Sequence, residues 1–299
     1  MKNVFILTSL FLAILLFSSC SEDNNVNPTT PKYTKLTMTS TEDSTDKIII
    51  EFSDKITPIE KYNFLGNDYR ANIIMLFPSE SVLIQPMQLY YFLFSPKLGN
   101  ITNYTYFNNG IEEGSIKSTY FDNGLLQKST NYGNFAFDIK SVEYFYEDDR
   151  LAYFTVTFVD ELDKVIESLL YNNNGFVYQL KAYKENQPDI FEVASVKQNS
   201  SNFLSEILSN EASEYPTKYI FEQNNQGLLS KWTYFSVNGN EVMRIYEFFY
   251  DQNNHLIRYN QNMDYYPEDS HYTEFKYDAE GYLSEIKADN GGRYLCKWE

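Results

Sequence analysis

The sequence predicts an all-β fold: a long curled antiparallel meander of hairpin repeats, each about 25–27 residues long. Two observations support this prediction. A glycine, or a residue that can replace it, recurs at near-constant spacing between residues 99 and 281, and an apolar residue follows two positions later each time. The chain also contains 27 Tyr and 23 Phe, and aromatic residues of this kind favour strands.

The clearest copy of the repeat reads as a strand, a tight turn and a second strand. Phe275 and Tyr277 lie on one face of the first strand, because side chains alternate along a strand. Asp278 begins a polar turn, and Gly281 can adopt the positive φ that closes it. Leu283 begins the return strand.

Alignment on the turn residue and the apolar residue after it gives eight copies with steps of 25 to 27 residues. A second set of polar turns lies between the copies, so the chain reverses about every twelve residues and forms roughly sixteen antiparallel strands. A flat sheet of that size is rare, because the twist of its strands accumulates. The aligned pairs are Gly99/Ile101, Gly124/Leu126, Asp149/Leu151, Gly175/Val177, Ser201/Phe203, Gly227/Leu229, Asn254/Leu256 and Gly281/Leu283.

Two regions leave alternatives open. Residues 202–210 fit a strand by the phase of the repeat, but their apolar spacing, with Asn202 as an N-cap, also fits one or two turns of helix. Residues 33–98 have the same strand composition and are expected to begin the same sheet, with a separate small β-domain as the alternative. Residues 99–299 are expected to form the repeat domain itself.

The first 32 residues predict export and anchoring. Lys2 precedes an apolar run at residues 4–17 that is too short for a comfortable membrane span, and two serines lead to Cys20. This pattern resembles a bacterial lipoprotein signal, which implies that residues 1–19 are removed and that Cys20 receives lipid such as palmitate. An ordinary signal peptide with an incidental cysteine is the alternative. Residues 20–32 then contain the lipidated cysteine and a disordered polar tether.

The repeat resembles the tyrosine–aspartate family, also called YD or RHS, whose unit runs Tyr-x-Tyr-Asp-x-x-Gly-Arg-Leu. Residues 275–283 match this unit except for Phe275 and Tyr282, while Arg150 and Leu151 keep its Arg-Leu ending. The resemblance implies stacked β-hairpins. Together with the lipoprotein signal, and with acidic residues after Cys20 that resemble a surface-export tag, it implies a lipoprotein of Gram-negative gut bacteria.

The net charge and the sequence motifs restrict the classes of function that we expect. A net charge of −17 repels nucleic acid, so we expect no nucleic-acid partner. The sequence has no Gly-x-Ser-x-Gly, phosphate-loop or His-Glu-x-x-His motif, and we therefore predict neither an enzyme nor a cofactor. A glycoside hydrolase with carboxylates paired in space is the remaining enzymatic alternative. Acidic turn residues lack the spacing of a calcium loop, and His255 and His271 lie apart, so no metal site is predicted.

Exposed aromatic rings can stack on sugars, and five residues are candidates for this role. The alternative is that these rings pack against one another between strands. Cys296 is expected to be a small packed side chain in the last strand. The candidate stacking residues are Trp232, Tyr234, Tyr265, Tyr266 and Trp298.

The sequence thus predicts an outer-membrane lipoprotein, held in the cell envelope and exposed at the cell surface, that binds or scaffolds through its extended sheet. The ligand is expected to be a glycan or a protein, and glycan capture for nutrient uptake is the second hypothesis. A membrane-spanning barrel has similar strand numbers but needs an outward apolar band. Lys231, Arg258, Glu285 and Lys287 fall in the middle of predicted strands and argue against such a barrel.

Overall fold

The computed structural model describes residues 31–55, 99–133, 139–159, 164–209, 217–236, 241–263, 270–289 and 291–299. These residues form eighteen strands. From β3 to β18, strands alternate with turns as the repeat predicts. The strands are β1 Lys35–Ser40, β2 Lys47–Phe52, β3 Ile101–Asn108, β4 Ile111–Tyr120, β5 Leu126–Gly133, β6 Ile139–Glu147, β7 Arg150–Phe158, β8 Val165–Tyr171, β9 Val177–Lys184, β10 Gln187–Gln198, β11 Leu204–Ser209, β12 Thr217–Gln223, β13 Leu229–Ser236, β14 Glu241–Tyr250, β15 Leu256–Met263, β16 His271–Tyr277, β17 Leu283–Ala288 and β18 Arg293–Trp298.

The sheet is closed, which corrects the expectation of a curled meander. Each strand pairs antiparallel with its neighbours in sequence, and β1 pairs with both β2 and β18. Closure removes both edges, whose unpaired backbone groups would otherwise invite other chains. Strands β1 and β2 therefore belong to the same sheet as the repeats, while residues 56–98 and the strands expected there lie outside the described residues.

One rim of the barrel carries the aligned turns of the repeat, and we call it the turn rim. In an up-and-down barrel, all turns that follow even-numbered strands lie at the same rim. Gly124, Gly175, Gly227 and Gly281 follow β4, β8, β12 and β16 and have positive φ values between 78° and 87°. The repeat period therefore corresponds to one hairpin, with all equivalent turns side by side.

A carboxylate or amide oxygen at the first turn position organises most of these turns. In the last copy, Oδ1 of Asp278 accepts hydrogen bonds from the backbone amides of Glu280 and Tyr282, at 2.9 Å each. Gly281 then donates to the carbonyl of Asp278. Such side-chain turns explain the preference for Asp and Asn at this position. The equivalent first residues are Asn172, Asn199, Asn224 and Asp251.

The copy between Gly175 and Gly227 shifts by one residue from the predicted alignment. Asn202, not Ser201, has the positive φ of 57°, and Leu204 rather than Phe203 begins the return strand. Asn tolerates this conformation better than Ser, because its side chain bonds to the local backbone. Strand β11 also settles the open choice for residues 202–210 in favour of a strand over a helix.

Nine residue pairs form a continuous band inside the turn rim, one pair for each hairpin around the ring. In each pair, an aliphatic residue of an odd strand lies opposite the last or, for Tyr146, the last but one residue of an even strand. No aliphatic member is more than 4% exposed, so this band belongs to the buried core of the barrel. The pairs are Leu36/Trp298, Ile101/Phe52, Leu126/Tyr120, Leu151/Tyr146, Val177/Tyr171, Leu204/Gln198, Leu229/Gln223, Leu256/Tyr250 and Leu283/Tyr277.

Tyrosine hydroxyls from this band join one hairpin to the next. Near the turn rim, each odd strand separates from the even strand that follows it; in β15 and β16 the last pair is Arg258 with Glu274. The hydroxyl of Tyr277 donates to the carbonyl of Leu256 across this gap at 2.8 Å. Otherwise the carbonyl would be left without a backbone partner in apolar surroundings. The equivalent bonds are Tyr120 to Ile101, Tyr146 to Leu126, Tyr171 to Leu151, Gln198 to Val177, Tyr250 to Leu229 and Trp298 to Leu283.

The opposite face of the sheet is charged. Residues that alternate with the core carry cross-strand ion pairs, such as Lys128 with Glu143 at 2.6 Å and Lys276 with Glu285 at 2.9 Å. Because the core cluster occupies the inner face, these pairs lie on the outer wall. Within the described ranges, no helix has the length and hydropathy needed to cross a bilayer.

We predict that Tyr277→Phe lowers the free energy of unfolding by about 1–2 kcal/mol, because the carbonyl of Leu256 loses its donor while the ring remains. Urea-induced unfolding of the full-length protein in detergent measures this. Tyr178→Phe is the matched control, since Tyr178 is 46% exposed and its hydroxyl can bond to water. Equal losses in both variants would contradict the proposed role of the hydroxyl.

Candidate functional site

The structure places Trp232, a predicted stacking residue, inside the barrel. Its side chain is 6% exposed and lies between the rings of Phe221 and Tyr246, with centroid distances of 6.1 Å and 4.7 Å. Both neighbouring rings are near-parallel to the indole, so its faces are covered. Among the described residues, the indole Nε1 has no hydrogen-bond partner.

The other predicted aromatic residues are not brought together into one site. Tyr234 stacks on Tyr219 at 5.2 Å on the inner wall. Trp298 lies at the seam between β18 and β1, where its ring is 6.0 Å from Phe52 and its Nε1 donates to the carbonyl of Leu283. Tyr265 and Tyr266, like Cys20, lie outside the described residues. Their role in ligand stacking therefore stays a prediction.

A different site lies on the turn rim, in the gaps where neighbouring hairpins separate. We call each such gap a notch and the residue just after the positive-φ turn residue the notch residue. Two of these side chains are almost wholly buried, Leu125 at 1% exposed and Phe203 at 2%. Most of the others are also apolar and large. The notch residues are Leu125, Arg150, Phe176, Phe203, Leu228, His255 and Tyr282.

His255 is the notch residue of the copy between Asn254 and Gly281, and four contacts fix its position. Its ring stacks on Tyr277, with centroids 4.6 Å apart and an interplanar angle of 21°. Its Nδ1 lies 3.1 Å from Oδ2 of Asp251, and its backbone amide donates to Oδ1 of the same carboxylate at 2.9 Å. Its Nε2 would lie 3.2 Å from a Cβ built on Gly281, so a side chain there would crowd the ring, and the positive φ of 87° also favours glycine.

An open groove of about 630 Å³ lies beside His255, between the turn at residues 251–255 and the turn at residues 278–281. Three carboxylates line it, from Asp251, Asp278 and Glu280, and one ammonium group, from Lys276. Ile257 and Ala279 add apolar surface. The lining is therefore polar on balance, with a net negative charge.

Hydrogen bonds control the ionisation of Asp251. Partial burial acts to raise the pKa of this carboxyl, but hydrogen bonds from the amides of His255 and Asn253 and from the imidazole of His255 outweigh it, so the pKa lies below the ordinary value of 3.8. The carboxylate accepts a hydrogen bond from the N–H group of Nδ1, and this bond orients the ring. In the neutral imidazole, Nε2 then carries the lone pair and can accept a hydrogen bond.

The groove offers binding chemistry rather than a nucleophile or a metal centre. Its lining contains no serine, threonine or cysteine side chain. Across the described part of the chain, no group of three His, Cys, Asp or Glu side chains has the arrangement needed to hold a metal ion. An imidazole, carboxylates and an ammonium group can still donate to or accept from a bound molecule.

Sequence reasoning considered His255 only as a metal ligand and did not predict this groove. Comparison of the notch residues could have singled it out, because five of the other six are large apolar or aromatic residues, including Phe176, Leu228 and Tyr282. Its partner Gly281 belongs to the next copy, so only the repeat alignment relates the two residues.

We predict that Asp251→Asn reduces the acid sensitivity of folding. Because the folded pKa is depressed, the contribution of Asp251 is present well above pH 3.8 and is lost as the pH falls below that value toward the folded pKa. Asn keeps the turn, as Asn224 does in an equivalent copy. Urea unfolding from about pH 6 to about pH 2 should show a smaller loss of stability in the variant. An unchanged pH profile would contradict this account.

Comparisons with known proteins assign no family. No protein-family model and no curated protein matches the sequence. Two similar solved structures are porin-like proteins from Bacteroides uniformis and Bacteroides vulgatus, each 9% identical, with TM-scores of 0.37 and 0.39; the matches cover 91% and 89% of this chain and 99% and 98% of theirs. A third is the TcdB2-TccC3-Cdc42 complex, 14% identical with a TM-score of 0.33, where the match covers 66% of this chain but 11% of the other. At these scores, none of the structures transfers an activity to this chain.

Proposed function

We propose that the chain is a lipid-anchored protein of the bacterial cell envelope whose barrel lies in water and binds a ligand at the turn rim. The single observation that supports this most is the charged outer wall. A barrel that spans a membrane presents an apolar band to lipid. Here the outward residues include the ion pairs of Lys231 with Glu222 and of Arg258 with Glu274, at 3.6 Å and 3.9 Å, on strands close to the turn rim.

The packed band inside the turn rim supports binding over passage through the barrel. Leu204, Leu229 and Val177 are fully buried, and the remaining aliphatic members of the band are nearly so. A water-filled path along the barrel axis would expose these side chains, at a cost of roughly 1.5–3 kcal/mol each. The buried band therefore fits a rim that supports the turns better than it fits the entrance of a channel.

The closed sheet also limits where a partner can bind. Without an edge strand, an added β-strand from a partner has no place to pair. Concave surface with several polar groups is the usual form of a ligand site, and the groove beside His255 has it. We therefore assign binding to this groove and propose no catalytic role for the protein.

The lipid anchor rests on the sequence around Cys20. A basic start, a short apolar run and two small residues before the cysteine favour acylation over a membrane-spanning helix. Such an anchor would hold a water-exposed barrel at the membrane. A barrel embedded in the bilayer would not need it.

Replacement of the cysteine tests this proposal directly. We predict that Cys20→Ala moves the protein from the membrane fraction to the soluble fraction of the bacterial envelope, because the described part of the outer wall carries ion pairs that lipid would not accommodate. Fractionation followed by immunoblotting measures the distribution.

Cys296→Ala is the matched control, since Cys296 is the other cysteine of the chain and lies on the inner wall. It should leave the protein in the membrane fraction. If the Cys20→Ala protein stayed with the membrane, the barrel itself would be the membrane-bound part and the proposed function would be wrong.

A further inference from the structure

The notch of His255, where the groove lies, can be compared with the equivalent notches of the other repeat copies. Six of the seven notches share one turn design, and the seventh, before Arg150, has two positive-φ residues instead. Phe203 and Leu125 are almost fully buried in their notches, whereas the side chain of His255 keeps 28% of its surface exposed. Imidazole is smaller than the phenyl ring and brings two nitrogen atoms. The groove therefore lies beside a polar notch residue that keeps part of its surface exposed.

Hydrogen-bonding groups of both kinds surround the space. Nε2 of His255 is an acceptor in the neutral ring, and Asp278 has a second oxygen besides the one that binds turn amides. The amide side chain of Asn253 can donate and accept, and the ammonium of Lys276 donates. A ligand that carries hydroxyl groups can satisfy all of these, since each hydroxyl donates once and accepts twice.

The charge of the lining selects against anions. Asp251, Asp278 and Glu280 outnumber Lys276, although Glu280 is paired with Lys32 and Lys276 with Glu285. The chain as a whole carries a net charge of −17. A phosphate, a sulfate or a polyanion would therefore meet repulsion at close range and at long range.

Apolar surface borders the polar groups. Ile257 is 39% exposed and lines the groove together with Ala279. Ile257 is the extra residue of a bulge, because Phe249 pairs with Arg258 while Tyr250 pairs with Leu256. A pyranose ring has an apolar C–H face beside its hydroxyl edge, and this combination matches the groove.

We infer that the groove beside His255 binds a neutral saccharide, with Nε2 of His255 and the carboxylate of Asp278 accepting hydrogen bonds from its hydroxyl groups. The inference rests on the proposed function, because it names the ligand class of the same site. It also assigns a specific task to the Asp251–His255 pair. Asp251 fixes the ring so that Nε2, rather than Nδ1, is presented as an acceptor.

An array of neutral oligosaccharides, with a sulfated oligosaccharide and spermine as charged probes, tests the ligand class on the detergent-solubilised full-length protein. We expect binding to at least one neutral saccharide and none to the sulfated oligosaccharide. The net charge of −17 attracts spermine, so any binding of spermine should be unchanged in His255→Phe. His255→Phe should then weaken the saccharide binding by at least about tenfold, since Phe fills the notch and removes the acceptor. Asp278→Asn, which keeps the turn as Asn224 does, should also weaken it.

Leu228→Phe is the matched control, because it places the same bulky residue in the notch of a different copy, and Leu228 does not line the groove beside His255. Saccharide affinity and thermal unfolding should both match the unchanged protein. Equal affinity in the His255→Phe variant, binding to spermine alone, or no neutral saccharide bound would each overturn the inference. None of these outcomes would change the result of the Cys20→Ala fractionation. The saccharide inference and the proposed lipid anchor can therefore be disproved independently of each other.

Discussion

The fold depends on keeping hairpins joined where their strands separate. At the turn rim, the bond from Tyr277 to the carbonyl of Leu256 and its equivalents replace the missing backbone pairing. The same tyrosines lie opposite the aliphatic residues of the band inside the rim. Each of these tyrosines thus donates a hydrogen bond to a buried carbonyl and also packs its ring in the core. These two roles explain why most copies of the repeat have a tyrosine before the turn.

Local features of the sequence predicted most of the hairpins, because strand alternation and turn chemistry act over a few residues. Closure could not be predicted in this way. It depends on the pairing of Met38 with Cys296, which lie at opposite ends of the described chain. The misalignment at Ser201 had a smaller cause: Ser201 and Asn202 are both short and polar, and only the backbone conformation distinguishes them.

The candidate site was harder to predict than the fold. Trp232 attracted attention as a large aromatic residue, but its burial between Phe221 and Tyr246 is decided by the inner face of a closed sheet. His255 was inconspicuous by itself. Its groove results from contacts with Tyr277 and Gly281 of the next hairpin, and a single sequence does not reveal such contacts without a register. Degenerate repeats can therefore hide a site in a copy that departs from most of the others.

The seam between β1 and β18 has a consequence for biosynthesis. Because β1 emerges early from the ribosome and β18 late, the first strands wait with one side unpaired while the others are made. Contacts between residues so distant in sequence form slowly, and unpaired strands aggregate readily. A chain of this kind would benefit from chaperones that shield β1 until the ring is completed.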